Sequence, residues 1–272
     1  MDCVTVQGVD VPAIGLGTWQ LEGQTCYETV RTALDLGYRH VDTAQMYGNE
    51  SEVGDAIADA DVDRDDLFLT TKIHPSNARY DDVLESTAAS LDELGTDYVD
   101  LLLLHWPNPL VSFEDTARAM AELHDDGTIL NAGVSNFRTW RLKRARKKSP
   151  IPLLTDQVRL HPHYTHRKVR DYCTANDMVT TAYSPLAHGG MIDDELCSRI
   201  GHRYDKTAAQ VALRWATQLE NVVAIPKSTS EDHLRQNLEA LDFELTDSEM
   251  DRITRPSLFQ SGKLYLRNEM GV

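Results

Sequence analysis

The sequence predicts an α/β fold in which eight parallel strands close into a (β/α)8 barrel behind an N-terminal β-hairpin, and three observations carry that prediction. Along the 272 residues, short apolar runs alternate with stretches of helical period, the pattern of a parallel sheet covered by helices. The pattern recurs eight times at roughly 30 residues per repeat, which fits a closed TIM barrel. The first strand leads out through Gly15-Leu16-Gly17-Thr18-Trp19 and lacks the third glycine expected of the phosphate turn in an open, doubly wound sheet.

In chain order, Val4-Thr5-Val6, the turn pair Gln7-Gly8 and Val11 signal the opening hairpin. The first barrel strand is read at residues 14–17 and its helix at 26–36, stopped by Gly37. The second strand follows at 40–42 with a helix at 51–60, and the third at 67–71 with a helix at 82–94, stopped by Gly95. The fourth strand is read at 99–104 with a helix at 113–125, stopped by Gly127. The remaining strands fall at 130–134, 153–158, 179–183 and 222–225, and their helices at 139–147, 168–175, 207–218 and 231–238.

A chain of this length with 41% hydrophobic residues can bury one large core, and no linker, low-complexity tract or short-period repeat marks a boundary. Residues 1–272 are therefore read as a single domain. The opening MDCVTVQGVD has neither a basic nor an apolar leader segment, and the longest apolar run, 99–106, is too short to span a bilayer. A cytoplasmic protein without membrane contact is expected. Cys3, Cys26, Cys173 and Cys197 are scattered without a CxxC, which suits reduced thiols better than a disulfide framework or a zinc site.

The formal charge of −16 repels nucleic acid and anionic lipid over most of the surface. Together with acidic segments such as residues 52–66, it reads as a self-repelling surface suited to high salt and points to a halophilic source. One basic cluster stands against this background: Arg138, Arg141, Lys143, Arg144, Arg146, Lys147 and Lys148 spread around a helix without interleaved aromatics. It is expected to pair with neighbouring acids rather than to bind nucleic acid. Nothing in the chain demands more than a monomer.

In a parallel barrel the carboxyl ends of all strands meet at one face, so polar residues just beyond strands are the functional candidates. Three consecutive strands end that way: Asp42 with Tyr47 after the second, Lys72 after the third and His105 after the fourth. Neighbouring strand ends lie about 5 Å apart, so these side chains can converge on one pocket. A Lys about 4 Å from a phenol favours the phenolate by roughly 4 kcal/mol at an effective dielectric near 20, or about three pH units. On that reasoning Tyr47 comes down from about 10 toward neutrality and serves as a general acid to a carbonyl oxygen. Asp42 holds Lys72 charged, and His105 directs the carbonyl oxygen.

The stretches Gly37-Tyr38-Arg39-His40-Val41-Asp42-Thr43-Ala44-Gln45-Met46-Tyr47-Gly48-Asn49-Glu50, Leu69-Thr70-Thr71-Lys72 and Tyr98-Val99-Asp100-Leu101-Leu102-Leu103-Leu104-His105-Trp106-Pro107 closely resemble signatures of the aldo-keto reductase family. Gly133-Val134-Ser135-Asn136-Phe137, Ala182-Tyr183-Ser184-Pro185-Leu186 and Ile225-Pro226-Lys227-Ser228 continue them in the family's order. The resemblance implies that Asp42, Tyr47, Lys72 and His105 form a catalytic tetrad and that NAD(P)H binds in an extended form. It also implies that Ser135, Asn136 and Gln157 hold the nicotinamide carboxamide and that Tyr183 stacks on its ring. Ser184 and Leu186 would meet the pyrophosphate, Lys227, Ser228, His233 and Asn237 the adenosine end, with Gly17 and Thr18 also on the cofactor. Trp19, Tyr47, His105 and Trp106 would line the substrate pocket.

The sequence departs from the family pattern at the adenosine end, where His233 stands in place of the usual Arg. A neutral imidazole stacks but brings no full charge, so NADPH is favoured through Lys227 and Ser228 while NADH is also accepted. Asp156 and Arg159 stand where the family more often has Asn and Glu. His161, His163 and His166 invite a metal reading, but no acidic or Cys ligand completes a site in the sequence, and no metal is expected. The loop after Trp106 is short and little chain follows the last barrel helix, so an open mouth suited to a small aldehyde, ketoaldehyde or keto-sugar is expected. Two other readings compete: a cofactor-loaded redox-sensing or interaction subunit, and a metal-dependent barrel hydrolase. The joint presence of Tyr47 and Lys72 argues against both.

Overall fold

The computed structural model describes residues 2–254. The hairpin pairs β1 (Cys3–Val6) antiparallel with β2 (Val9–Pro12). Its two-residue turn has both central residues left-handed, Gln7 at φ 52° and Gly8 at φ 78°, which matches the twist of the flanking strands. The Gln7 amide then donates to the carbonyls of Leu153 and Asp177, which ties the turn to the barrel. Val6 and Val11 pack on Phe68, Leu101, Leu103, Leu154, Val179 and Val223. All of these but Leu103 lie at or near the starts of their strands, so the hairpin seals the amino-terminal end and leaves the carboxyl end open.

Eight parallel strands follow in sequential order: β3 (Leu16–Gly17), β4 (His40–Asp42), β5 (Phe68–Ile73), β6 (Leu101–Leu104), β7 (Ala132–Ser135), β8 (Leu153–Arg159), β9 (Val179–Tyr183) and β10 (Val222–Ile225). The barrel closes between the first and last of these through backbone bonds from Gly15 N to Ala224 O (2.9 Å), Ala224 N to Ala13 O (2.9 Å) and Gly17 N to Pro226 O (3.1 Å). A Cβ on Gly17 would stand 2.8 Å from the Ile225 carbonyl oxygen, so the closing seam requires glycine there. Eight helices alternate with the strands: α1 (Gly23–Asp35), α2 (Glu50–Ala58), α3 (Tyr80–Leu94), α4 (Phe113–Asp125), α5 (Thr139–Lys148), α6 (Arg167–Thr174), α8 (Ala208–Thr217) and α9 (Glu231–Leu238), with α7 (Glu195–Gly201) inserted before α8 and α10 (Asp247–Thr254) after α9.

The barrel and hairpin expected from the sequence are therefore present. Residues 255–272, which carry most of the expected short tail after the last barrel helix, lie outside the described residues. No helix among the described residues is long and apolar enough to cross a membrane.

The basic cluster differs from expectation. Among the described residues, only Lys148 of the seven cations bonds a carboxylate, that of Glu114. Arg146 instead donates to the Tyr172 hydroxyl and Asn176, Arg141 lies over the Trp140 ring, and Lys143 lies over Tyr172. Aromatic rings, including Trp140 between Arg138 and Arg141, and neutral acceptors take the place of the expected carboxylates.

Candidate active site

At the open end, Asp42 is the last residue of β4, Lys72 the penultimate residue of β5, and His105 the first residue beyond β6. Parallel pairing sets their heights: Lys72 is level with Leu103, and His105 N donates to Ile73 O at 3.2 Å. Tyr47 ends a single 3-10 turn, Gln45–Tyr47, that follows β4. Its ring meets the His105 ring edge-on, with centroids 5.6 Å apart.

Lys72 is fully buried and spends its ammonium hydrogens locally. Nζ donates to Asp42 Oδ1 at 2.5 Å, to the Thr43 carbonyl at 2.7 Å and to the Tyr47 hydroxyl at 3.4 Å. The other Asp42 oxygen accepts from Gln157 Nε2 at 2.6 Å. The result is one chain of polar groups, Gln157–Asp42–Lys72–Tyr47, inside an apolar wall. Removing either ion of the buried Lys72–Asp42 pair would strand the other at about 3–5 kcal/mol.

Burial opposes the charge on Lys72, but Asp42 and Tyr47 outweigh it, so the lysine pKa rises above its ordinary value. Tyr47 is a correction to the sequence reasoning. Its pKa lies above the usual phenol value, because burial penalises the phenolate more than Lys72 relieves it. The ammonium alone would lower it, but the lost hydration of the phenolate and the neutralising Asp42 both act against that. His105 goes the other way: burial first, then Lys72 and His74, push it down to about 3, so its imidazole is neutral. Its Nδ1 is buried without a partner.

Of the residues assigned to a cofactor, Ser135, Asn136 and Tyr183 connect by hydrogen bonds to Gln157 of the same chain. Ser135 Oγ donates to Gln157 O at 2.8 Å, and Asn136, left-handed at φ 63°, directs Nδ2 to Ser135 Oγ (2.9 Å) and His105 O (3.2 Å). Tyr183 donates its hydroxyl to Asn136 Oδ1 at 2.9 Å. Ser184 is left-handed at φ 48° and begins a loop in which Leu186 accepts from the Gly189 and Met191 amides. Lys227 is exposed and Ser228 half-buried, its hydroxyl accepting from Ser230 N at 3.2 Å. His233 is exposed in the first turn of α9, whereas Asn237 is buried near the Tyr38 hydroxyl. Arg235 is held by Glu231 at 2.9 Å.

Gly17 and Thr18 serve the fold more visibly than a ligand: Gly17 lies on the seam, and Thr18 bonds Asp42 O through both its amide and its hydroxyl. Trp19 and Trp106 flank the mouth, each 45% exposed, and Trp19 meets the ring of His188 at 5.5 Å. His163 pairs with Asp194 at 3.0 Å and His161 is buried; among the described residues no group of three His, Cys, Asp or Glu could hold a metal ion.

Two residues escaped the sequence reading. Thr43 supplies the carbonyl that receives Lys72, and the buried Asn49 donates to Thr18 O and Leu21 O while accepting from Thr43 Oγ1 at 2.7 Å. Both lie inside the 37–50 stretch that carried the resemblance, but backbone acceptors and bracing amides leave no charge or spacing to read.

The Aldo/keto reductase family model matches residues 13–256. The chain is 40% identical over 247 residues to the glyoxal reductase of Bacillus subtilis (strain 168), covering 90% of this chain and 89% of that one. It is 40% identical over 246 residues to the methylglyoxal reductase DkgB of Salmonella typhimurium, covering 89% and 92%. The crystal structure of an aldo/keto reductase from Brucella melitensis superposes with a TM-score of 0.87 at 38% identity, covering 93% of this chain and 98% of that one.

Proposed function

As the chain belongs to the aldo/keto reductase family and is an oxidoreductase, we propose that it reduces a small aldehyde, ketoaldehyde or keto-sugar to the alcohol with NADPH, using Tyr47 as the general acid. The observation that carries this reading is the buried chain Gln157–Asp42–Lys72–Tyr47 with the neutral His105 beside the phenol. Relatives named for glyoxal and methylglyoxal, and the half-exposed Trp19 and Trp106 at the mouth, favour compact substrates.

The donor set fits a nicotinamide dinucleotide. Ser135, Asn136 and Gln157 gather amide and hydroxyl groups beside the Tyr183 ring, a constellation that can hold a carboxamide against an aromatic face. Ser184 and Leu186 then suit the pyrophosphate, and Lys227, Ser228, His233 and Asn237 the adenosine end. When bound, the cofactor supplies the hydride. His105 donates a hydrogen bond that orients the carbonyl oxygen, and Tyr47 gives that oxygen its proton as carbon accepts the hydride. Lys72 stabilises the phenolate left behind, and solvent reprotonates it. His233 brings no fixed charge to a 2′-phosphate and Arg235 is engaged by Glu231, so preference for NADPH over NADH should stay below about a thousandfold. The buried thiols Cys26, Cys173 and Cys197 suit a reducing, cytoplasmic setting, and the −16 charge suits concentrated salt.

Reduced-cofactor oxidation with a panel of small carbonyls tests the assignment. Tyr47→Phe is expected to lose about 10²–10⁴-fold in kcat while still binding cofactor; unchanged turnover would remove Tyr47 from the chemistry. The wild-type pH profile gives a second check. Tyr47 must be protonated to act and its pKa is raised, while His105 is neutral down to about 3. The reduction rate should therefore be level from about pH 5 to 9 and decline only above about 10. A descending limb between pH 6 and 8 contradicts the assignment.

A further inference from the structure

On the outer wall of the barrel, between α4 and α5, lies a cleft of about 290 Å³ separate from the mouth. Its floor includes Leu104, Phe113 and Phe137, the two phenyl rings meeting edge-on at 5.7 Å. Leu104 precedes His105 and Phe137 follows Asn136, but neither His105, Asn136 nor any member of the buried polar chain lines the cleft. Trp140, 59% exposed, stands at the rim.

The other wall is cationic. Arg141, Arg144 and Lys148 line the cleft from one face of α5, spaced three and four residues apart. Like charges at that spacing repel and weaken the helix by a few tenths of a kcal/mol per pair. Glu114 is the carboxylate that meets them, bonding Lys148 and lowering its own pKa chiefly through that bond. Arg141 has the Trp140 ring and Arg144 no ion pair among the described residues. In a chain of net charge −16, a cleft with a phenyl floor and three cations against the one carboxylate of Glu114 is a surface feature with an affinity for anions.

We propose that this cleft is a second ligand site, for a compact anion with an apolar body such as an aromatic carboxylate, its charge held by Arg141 and Arg144 and its ring seated on Phe113 and Phe137. The volume is at the lower end for a ligand pocket, which limits the occupant to a fused or single ring system. Apolar burial supplies the affinity and the guanidinium forks the choice of charge.

The test is calorimetric titration of the full chain with 2-naphthoate and with the neutral 2-naphthamide, in moderate salt. The wild type is expected to bind naphthoate at least tenfold more tightly than naphthamide. Arg144→Glu should weaken naphthoate at least tenfold and Arg144→Gln by less, with kcat/KM for carbonyl reduction within twofold of wild type in both. A His105→Ala variant should keep the Arg144-dependent site, which separates it from any carboxylate bound at the mouth. Equal affinity for acid and amide, or naphthoate binding untouched by Arg144→Glu, would overturn the proposal. So would binding of an oligonucleotide or an acidic peptide at this face with no binding of naphthoate.

Discussion

Asp156 sits at 0% exposure on β8, beside the Gln157 that reaches the buried ion pair but on the opposite face of the strand. One of its oxygens accepts from Phe137 N at 3.3 Å, and the other has no partner. Burial drives its pKa well above the ordinary carboxyl value. The folded carboxyl thus keeps its proton where the unfolded one, at about 3.9, has released it. The native state binds more protons over that interval, so stability falls as pH rises from about 4 toward the folded pKa. Asp156→Asn has the same shape and no proton to lose. It should raise Tm at pH 8 by about 2–4 °C per kcal/mol recovered, with a smaller gain at pH 5 and unchanged kcat. Thermal unfolding at the two pH values decides: an equal offset at both means that ionisation of Asp156 is not the cost.

At the scale of elements, the turn that carries Tyr47 is held by Asn49, which bridges the loops after β3 and β4 through Thr18 O, Leu21 O and Thr43 Oγ1. Asn49→Ala leaves two buried carbonyls and a hydroxyl short of partners, and should cost about 2–4 kcal/mol of stability in total. Because the turn sets the height of the phenol, kcat should fall more than KM changes. Full kcat together with an unchanged Tm would dismiss the bracing role. Such bonds mark the boundary of what the sequence discloses. The strand at His40–Asp42 and the helices at Phe113–Asp125 and Glu231–Leu238 end where the sequence predicts, because apolar runs, Ser112 and Ser230 caps and stop signals are local. The sequence predicts the first strand at 14–17, but it pairs as a ladder only at Leu16–Gly17, with Ile14 in an isolated bridge across the closing seam. The short α7 is not legible in the sequence: its Asp194 cap is local, but seven residues carry too little period, and its packing on α8 is tertiary. The convergence of Asp42, Tyr47, Lys72 and His105 follows from chain order, because parallel strand ends must meet. The Gln157–Asp42 bond and the raised Tyr47 pKa arise from burial, which residue spacing does not report.

For the whole molecule the governing quantity is the excess of 43 acidic over 27 basic side chains. Within residues 52–66, Glu52, Asp55, Asp59, Asp61, Asp63, Asp65 and Asp66 share one base, Arg64, and Arg64 pairs elsewhere, with Asp100 at 2.8 Å. Several ion pairs that do form on the surface are long and exposed, such as Arg31–Asp35 and Arg118–Asp115 at 3.8 Å, and pairs of that kind add little. Added salt therefore removes more repulsion than attraction. The screening length falls from about 10 Å at 0.1 M to about 3 Å at 1 M, below the spacing of neighbouring surface charges. Tm should rise with KCl across that range and flatten beyond it, the chloride salt being chosen because sulfate would also strengthen apolar burial. Replacing Asp59, Asp61 and Asp63 by Asn should reduce the slope without touching the fully buried Lys72–Asp42 pair, which solvent ions do not reach. A Tm that is constant or falling between 0.1 and 1 M KCl would show that the acidic surface carries no net repulsive cost, and the case for an enzyme suited to concentrated salt would fall with it.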